Sequence, residues 1–456
     1  MAAADADGRS ARAAVVGGGI AGIAAADRLA AAGRQVEVFE SQDRLGGRIG
    51  VDRLDGRELC LGGKNIGRRY TELRALVDRG AEAPRRWEFF GPETMQVMGR
   101  RGRLVPMSYR RIPARIRLGG RMLLRGQIPG ARRFARLARH VKQHERSGFL
   151  GDEWFAELAR AAGEPTLTEY FGEGFASNVV RHTTVRMNGA EPDEAWLANF
   201  GTNLALVVDK FDQLTDGLEP VMDAAAAHHR VHLGAAVERV DVGQRGQATI
   251  RTADGREHGG FDAVVLAVPA PAAANLVEDA DAELAALLRT IHYHPVAVVV
   301  AVYDRPVFPQ DYAAIAVHGL PLSNAGSYGL EDRNIVRYTF SGRPARAHIA
   351  PGAFEPEQLL GEAEEFLARY VAVDQARRQG FLARLFEPGL CAYRPNHFGF
   401  LQDVERRLER IGPLALAGDY MRGASLEACT RSGIAAADRI AAAHLPMSVE
   451  MPEAAL

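Results

Sequence analysis

The stretch Ala13-Ala14-Val15-Val16-Gly17-Gly18-Gly19-Ile20-Ala21-Gly22, answered downstream by Val36-Glu37-Val38-Phe39-Glu40, decides the fold. Ala13 to Val16 read as a parallel strand buried on both faces. Gly17, Gly19 and Gly22 form a G-x-G-x-x-G fingerprint that opens a helix over Ile20 to Ala32. The first glycine permits the tight turn, the second lets the backbone approach a pyrophosphate, and the third lets helix and strand pack closely. Gly33 suits the position just past the helix end. The second strand, Val36 to Glu40, carries its acid to the carboxyl end, where a carboxylate accepts hydrogen bonds from ribose hydroxyls and disfavours a 2′-phosphate, so NADP is not expected here. Helix N-terminus, glycines and acid together describe a dinucleotide site.

The next residues extend it. Ser41 lies beside the acid, and Asp43-Arg44-Leu45-Gly46-Gly47-Arg48 adds a glycine pair followed by a guanidinium suited to a pyrophosphate. Here the chain resembles the flavin-containing amine oxidase superfamily, which includes monoamine and polyamine oxidases, protoporphyrinogen oxidases and phytoene desaturases. Leu61-Gly62-Gly63-Lys64-Asn65-Ile66-Gly67 resembles that family's glycine-rich segment near the isoalloxazine ring. Val237-Glu238-Arg239-Val240 is similar to the strand that meets adenine, and Phe261 to Pro269, including Ala267, to the strand after it. Leu416-Ala417-Gly418-Asp419 and Ser425-Leu426 through Gly433 resemble the segment that closes over the ribityl chain. The resemblance implies FAD, held by Gly17, Gly19, Ile20, Ala21, Gly22, Glu40, Ser41, Gly47, Arg48, Gly62, Gly63, Lys64, Val237, Ala267, Pro269, Gly418, Asp419, Ser425 and Leu426. It also implies an α/β fold: a discontinuous Rossmann-type FAD-binding domain (1–75, 208–288 and 390–445) with an inserted α+β substrate-binding domain (76–207 and 289–389). Residues 446–456 read as a loose tail.

The 456 residues are 47% apolar and 25% charged, with 56 basic against 57 acidic side chains, the balance of an ordinary globular protein. Lysine occurs only at 64, 142 and 210, which singles out Lys64. Three scattered cysteines, 60, 391 and 429, make neither a disulfide framework nor a zinc site. With no apolar secretory segment in the first residues, the expectation is a cytoplasmic protein, soluble or at most peripheral to a membrane. From Arg100 to His144 there is no acidic residue and thirteen arginines. Two readings stand: a solvated helical face, or contact with an anionic partner such as membrane headgroups, a carrier protein or a substrate group. No nucleic-acid module accompanies the patch. A dimer is compatible with the sequence.

Lys64 is the foremost candidate for a polar role at the ring, against a plain surface lysine, and His397 is set beside it as catalytic. His292, His294 and Tyr393 are expected to line the substrate cavity; two histidines with no third ligand do not make a metal site, so no metal is expected. The chain also departs from amine oxidases. Where their strand carries a lysine near flavin N5 this chain has Val298, and the two aromatic residues that sandwich the amine fall near Ala392 and Ser425. Cys391 sits where some monoamine oxidases attach flavin, with simple packing as its other reading. The expected activity is oxidation of a C–N or C–C bond in a bulky small-molecule metabolite of specialised metabolism, with hydride transfer to flavin N5 and reoxidation by oxygen. The alternatives are an amine or amino-acid oxidase releasing peroxide, and a non-catalytic FAD-bound scaffold.

Overall fold

The strand Arg12–Val16 lies at the centre of a five-stranded parallel sheet in a computed structural model that describes residues 11–79, 85–89, 93–98, 102–107, 126–243 and 247–443. Across the sheet the order is Arg230–His232, Gln35–Phe39, Arg12–Val16, Ala263–Leu266 and Leu414–Leu416. Alternation assigns the two faces. Ala13 and Val15 pack beneath the helices Ile20–Ala31 and Leu426–Ala443, while Ala14 and Val16 face a core shared with a small antiparallel sheet built from Val237–Val242, Ala248–Thr252 and Glu257–Phe261. The first helix ends one residue before its expected limit, and Gly33 follows with φ +83°. Gly22 has no substitute: a Cβ there would stand 1.9 Å from the Gly17 carbonyl oxygen.

A seven-stranded sheet forms the second layer, in the order Arg378–Ala392, His292–Tyr303, Ile335–Phe340, Leu322–Ser327, Tyr312–Ala316, Glu93–Met98 and Arg103–Pro106. His292–Tyr303 has the expected bounds, and its period of two sorts its side chains. Ala297, Val299 and Ala301 pack toward the helix Pro356–Leu367, whereas Val296, Val298, Val300 and Val302 face Leu59 and Leu61. A helical cluster around Phe155, Phe171 and Phe200 completes the unit. The fold is thus α/β, a Rossmann-type unit assembled from separated stretches with an α+β unit inserted.

Within the basic stretch, the helix Ile128–Gln143 buries Leu137 and Val141 in that cluster and leaves Arg132, Arg133, Arg136 and Arg139 exposed. Exposed arginines above a buried apolar stripe suit both readings, a solvated face and contact with an anionic partner. Residues 108–125, which hold much of the arginine run, and the tail 446–456 lie outside the described residues. Among the described residues no helix is long and apolar enough to cross a membrane.

Candidate functional site

One cavity of about 640 Å³ touches both layers. Its Rossmann end is the start of the helix Ile20–Ala31, where Gly19, Ile20 and Ala21 line the wall and no side chain caps the helix. A Cβ on Gly19 would meet no protein atom within 4 Å. Orphan N–H groups and the positive dipole end therefore open onto empty space, an anion site by construction. Arg48 lines the same space, donating from Nη1 to Asp419 Oδ2 at 2.6 Å and to the Gly389 carbonyl at 2.9 Å. Asp419, nearly inaccessible, accepts a second bond at 2.7 Å from the Tyr293 hydroxyl. Burial works against the charge on Arg48, but Asp419 overcomes it and raises its pKa, so the guanidinium stays charged.

The other end is the inner face of the large sheet. Val296 and Val298 line it, together with Asn324 and Thr339 from neighbouring strands. Across from them lie Gly62, Gly63 and Lys64, with Ser425 and Leu426 at the start of the last helix. Ala267 and Gly418 complete the turns above the parallel sheet.

Other residues named from the sequence stand behind this lining. Gly17 and Gly22 join strand to helix, and Gly47 opens a short turn at Gly19. Glu40 is 5% exposed and accepts bonds from Gly18 N at 2.7 Å, Gln42 N at 2.8 Å and Ser41 Oγ at 3.1 Å. Its carboxylate shapes the glycine loop. Val237 begins a strand packed on the sheet's second core, and Pro269 precedes the helix Ala270–Val277.

Four expectations are corrected. His292, His294, Tyr393 and His397 do not line the cavity. The partner strand carries extra residues, at 387–389, between the positions opposite His294 and Val296, and the cavity lining on this strand begins at Val296. His292 is exposed; His294 is buried with its Nε2 3.2 Å from Arg346 Nη2, and burial lowers its pKa to about 4. His397 is fully buried between Tyr393 and Phe400, with Nε2 at 2.7 Å from the Tyr420 carbonyl oxygen. Burial lowers it to about 4, which keeps it a neutral packing residue near neutrality.

The model of the family described as flavin containing amine oxidoreductase matches residues 20–441. The chain belongs to this family. A candidate flavin-containing monoamine oxidase of Mycobacterium tuberculosis, AofH, is 30% identical over 272 residues, 56% of each chain. The match therefore spans little more than half of that relative. The coproporphyrinogen III oxidase of the same organism is 25% identical over 443 residues, 91% of this chain and 94% of its own. Cyclohexylamine oxidase from Brevibacterium oxydans shares the fold with a TM-score of 0.72 at 19% identity, over 95% of this chain and 99% of that one.

FAD is the cofactor of this flavin oxidoreductase, and the residues present fit it. The uncapped helix start, the Cβ-free approach at Gly19 and the fixed cation of Arg48 meet what a pyrophosphate needs. Three contributors escaped the sequence reading. Tyr293 anchors Asp419, while Arg186 and Arg337 reach the cavity from the helix Arg181–Asn188 and the strand Ile335–Phe340. Arg337 had a visible signal, a lone charge in the apolar run Ile335-Val336-Arg337-Tyr338.

Lys64 donates from Nζ to the Tyr328 carbonyl and rests 3.6 Å from the centroid of the same residue's ring. Burial first, and Arg337 second, pull its pKa from 10.5 to about 7. Between those values the unfolded chain binds more protons than the native one, so stability rises with pH through the window, and the cost of the buried charge is complete below it. Apoprotein carrying Lys64→Met is expected to lack this rise. Thermal midpoints measured from pH 6 upward, on the order of one half-unit step at a time, compare the two; parallel curves for wild type and variant refute the assignment.

Proposed function

We propose that this chain is an FAD-dependent oxidase or dehydrogenase that removes hydride from a C–N or C–C bond of a bulky metabolite, in specialised metabolism, with oxygen as the final acceptor. The observation that carries the reading is the continuity of the cavity from the uncapped helix at Gly19 to the apolar wall of Val296 and Val298. Bound FAD supplies the two-electron acceptor. The chain's own residues supply placement. Arg48, locked by Asp419 and Tyr293, pins the phosphate end, and the sheet wall excludes water from a hydrocarbon body at the other. We assign residues 1–75, 208–288 and 390–445 to the cofactor domain and 76–207 with 289–389 to the substrate domain.

Simple amines fit this wall less well. Val298 offers no cation to hold a water, and Ser425 is not half of an aromatic pair. Cys391 lines the cavity, yet burial pushes its thiol well above the ordinary range, away from the reactive thiolate. The test is to purify the protein, record its flavin spectrum, photoreduce it without oxygen and then admit air while following peroxide. A yellow protein that reoxidises in air and stays silent with benzylamine, putrescine and cyclohexylamine supports the proposal. Rapid peroxide release with those amines makes it an amine oxidase, and a photoreduced flavin that no acceptor reoxidises makes it a scaffold.

A further inference from the structure

We propose that Arg186 and Arg337 form a carboxylate-binding subsite at the sheet end of the cavity, so that the molecule oxidised there is an organic acid. The inference deepens the functional reading above and rests on it.

The basic residues lining the cavity are Arg48, Lys64, Arg181, Arg186, Lys210 and Arg337; the acidic ones are Asp209 and Asp419. Asp419 is committed to Arg48, at 2.6 Å. Asp209 accepts backbone N–H bonds from Lys210 at 2.7 Å and Arg69 at 3.2 Å. Arg181 is neutralised by Glu191, which accepts from its Nε at 2.6 Å and its Nη2 at 2.9 Å. Arg186 has no such partner. Its side chain is accessible within the cavity it lines and makes no hydrogen bond or ion pair with any described residue. Arg337 donates to the Gly62 carbonyl oxygen and makes no ion pair with any described residue.

The position of Arg337 separates this pair of cations from the pyrophosphate cradle. It lies opposite Val300 in the ladder and two residues from Thr339, itself opposite Val298. It therefore shares the inward sheet face of Val298 and Thr339, while the cradle is built at Gly19 and Arg48 on the Rossmann side. Burial lowers both arginines, and Arg337, a like charge on the same cavity, lowers Arg186 further. Such an arrangement is costly until an anion enters. A planar guanidinium matches a carboxylate through two parallel N–H donors, and the valines beside it suit a hydrocarbon body. The pair disfavours a cationic amine at the same place.

The test uses the yellow holoenzyme and a matched series: 4-phenylbutyrate, its methyl ester and 4-phenylbutylamine, each titrated while the flavin absorbance is followed. The acid is expected to bind at least about tenfold more tightly than either relative. Arg186→Gln and Arg337→Gln are each expected to weaken the acid by about tenfold to a hundredfold and leave the ester unchanged. Arg186→Lys, which keeps the charge but loses the fork, should fall between. Equal or tighter binding of the amine or ester, an acid affinity indifferent to these substitutions, or no response to millimolar acid overturns the proposal. Retained flavin absorbance in the variants shows that the cofactor reading survives such a failure, whereas a wild-type protein that cannot take up flavin strikes the functional reading instead.

Discussion

Gly19→Asp gives a folded, colourless protein. Gly19 has φ −75° and ψ 177°, a conformation open to any residue, and a Cβ there touches nothing within 4 Å. It is also the residue that caps the helix Ile20–Ala31, where aspartate is among the best choices and glycine a weaker one. The fold therefore tolerates the change or gains slightly from it. The cofactor does not: a carboxylate takes the place of a phosphate and repels the second one. With unit charges near 4 Å and an effective dielectric constant of about 20, each repulsion is on the order of 4 kcal/mol, so FAD affinity should fall by about three orders of magnitude or more. Flavin absorbance per chain, far-ultraviolet circular dichroism and the unfolding midpoint of apoprotein separate the two effects. A Gly19→Asp protein that purifies as yellow as wild type would refute the anion site at this helix. Gly22→Ala is the contrasting control, because its Cβ would collide with the Gly17 carbonyl and lower stability as well as flavin content.

Glu191→Ala should be among the most destabilising single substitutions outside the apolar core. Glu191 is 8% exposed and engages a bidentate, equally buried Arg181, while also accepting from Arg343 N at 3.2 Å. Removing it strands a guanidinium in the interior, which costs about 3–5 kcal/mol. Glu58→Ala, which breaks the open pair with Arg53 on a surface hairpin, should cost no more than about 1 kcal/mol. Urea unfolding of the three apoproteins decides the matter, and equal midpoints for the two variants would sink the distinction. The expected loss also bears on the cavity, since Arg181 is part of its wall and releasing it adds another unbalanced charge.

The dinucleotide half was legible because its signals are local. Residues 13–40 carry strand, glycine turn, helix, stop and second strand in one continuous run, and each obeys its own short-range rule. The strand from 292 to 303 was readable for the same reason. The cavity's sheet end was not, because its membership depends on pairing between distant strands. Arg337 faces inward only because its strand lies in register with Val298 and Val300. His292 and His294 share parity with those valines, yet the cavity lining stops at Val296, where extra residues of the distant partner strand interrupt the ladder. His397 begins a helix whose buried face draws it inward, and nothing near 397 in the sequence says that Tyr420 will be its partner. Tyr293 shows the same limit, for its partner Asp419 lies 126 positions away.

The order of strands in the parallel sheet has a consequence for how the chain comes off the ribosome. Arg12–Val16 is made well before its neighbour Ala263–Leu266, which follows only after much of the α+β unit, and the edge strand Leu414–Leu416 is made later again. The helix Leu426–Ala443, which covers the apolar side of the first helix, comes later still. Until then the nascent N-terminal segment carries a bare, flat, aliphatic edge with no mate, a natural client for a holdase chaperone. The cofactor cavity is therefore complete only once residues as late as Cys429 have been made, and flavin starvation in the expressing cell should accumulate polypeptide in aggregates.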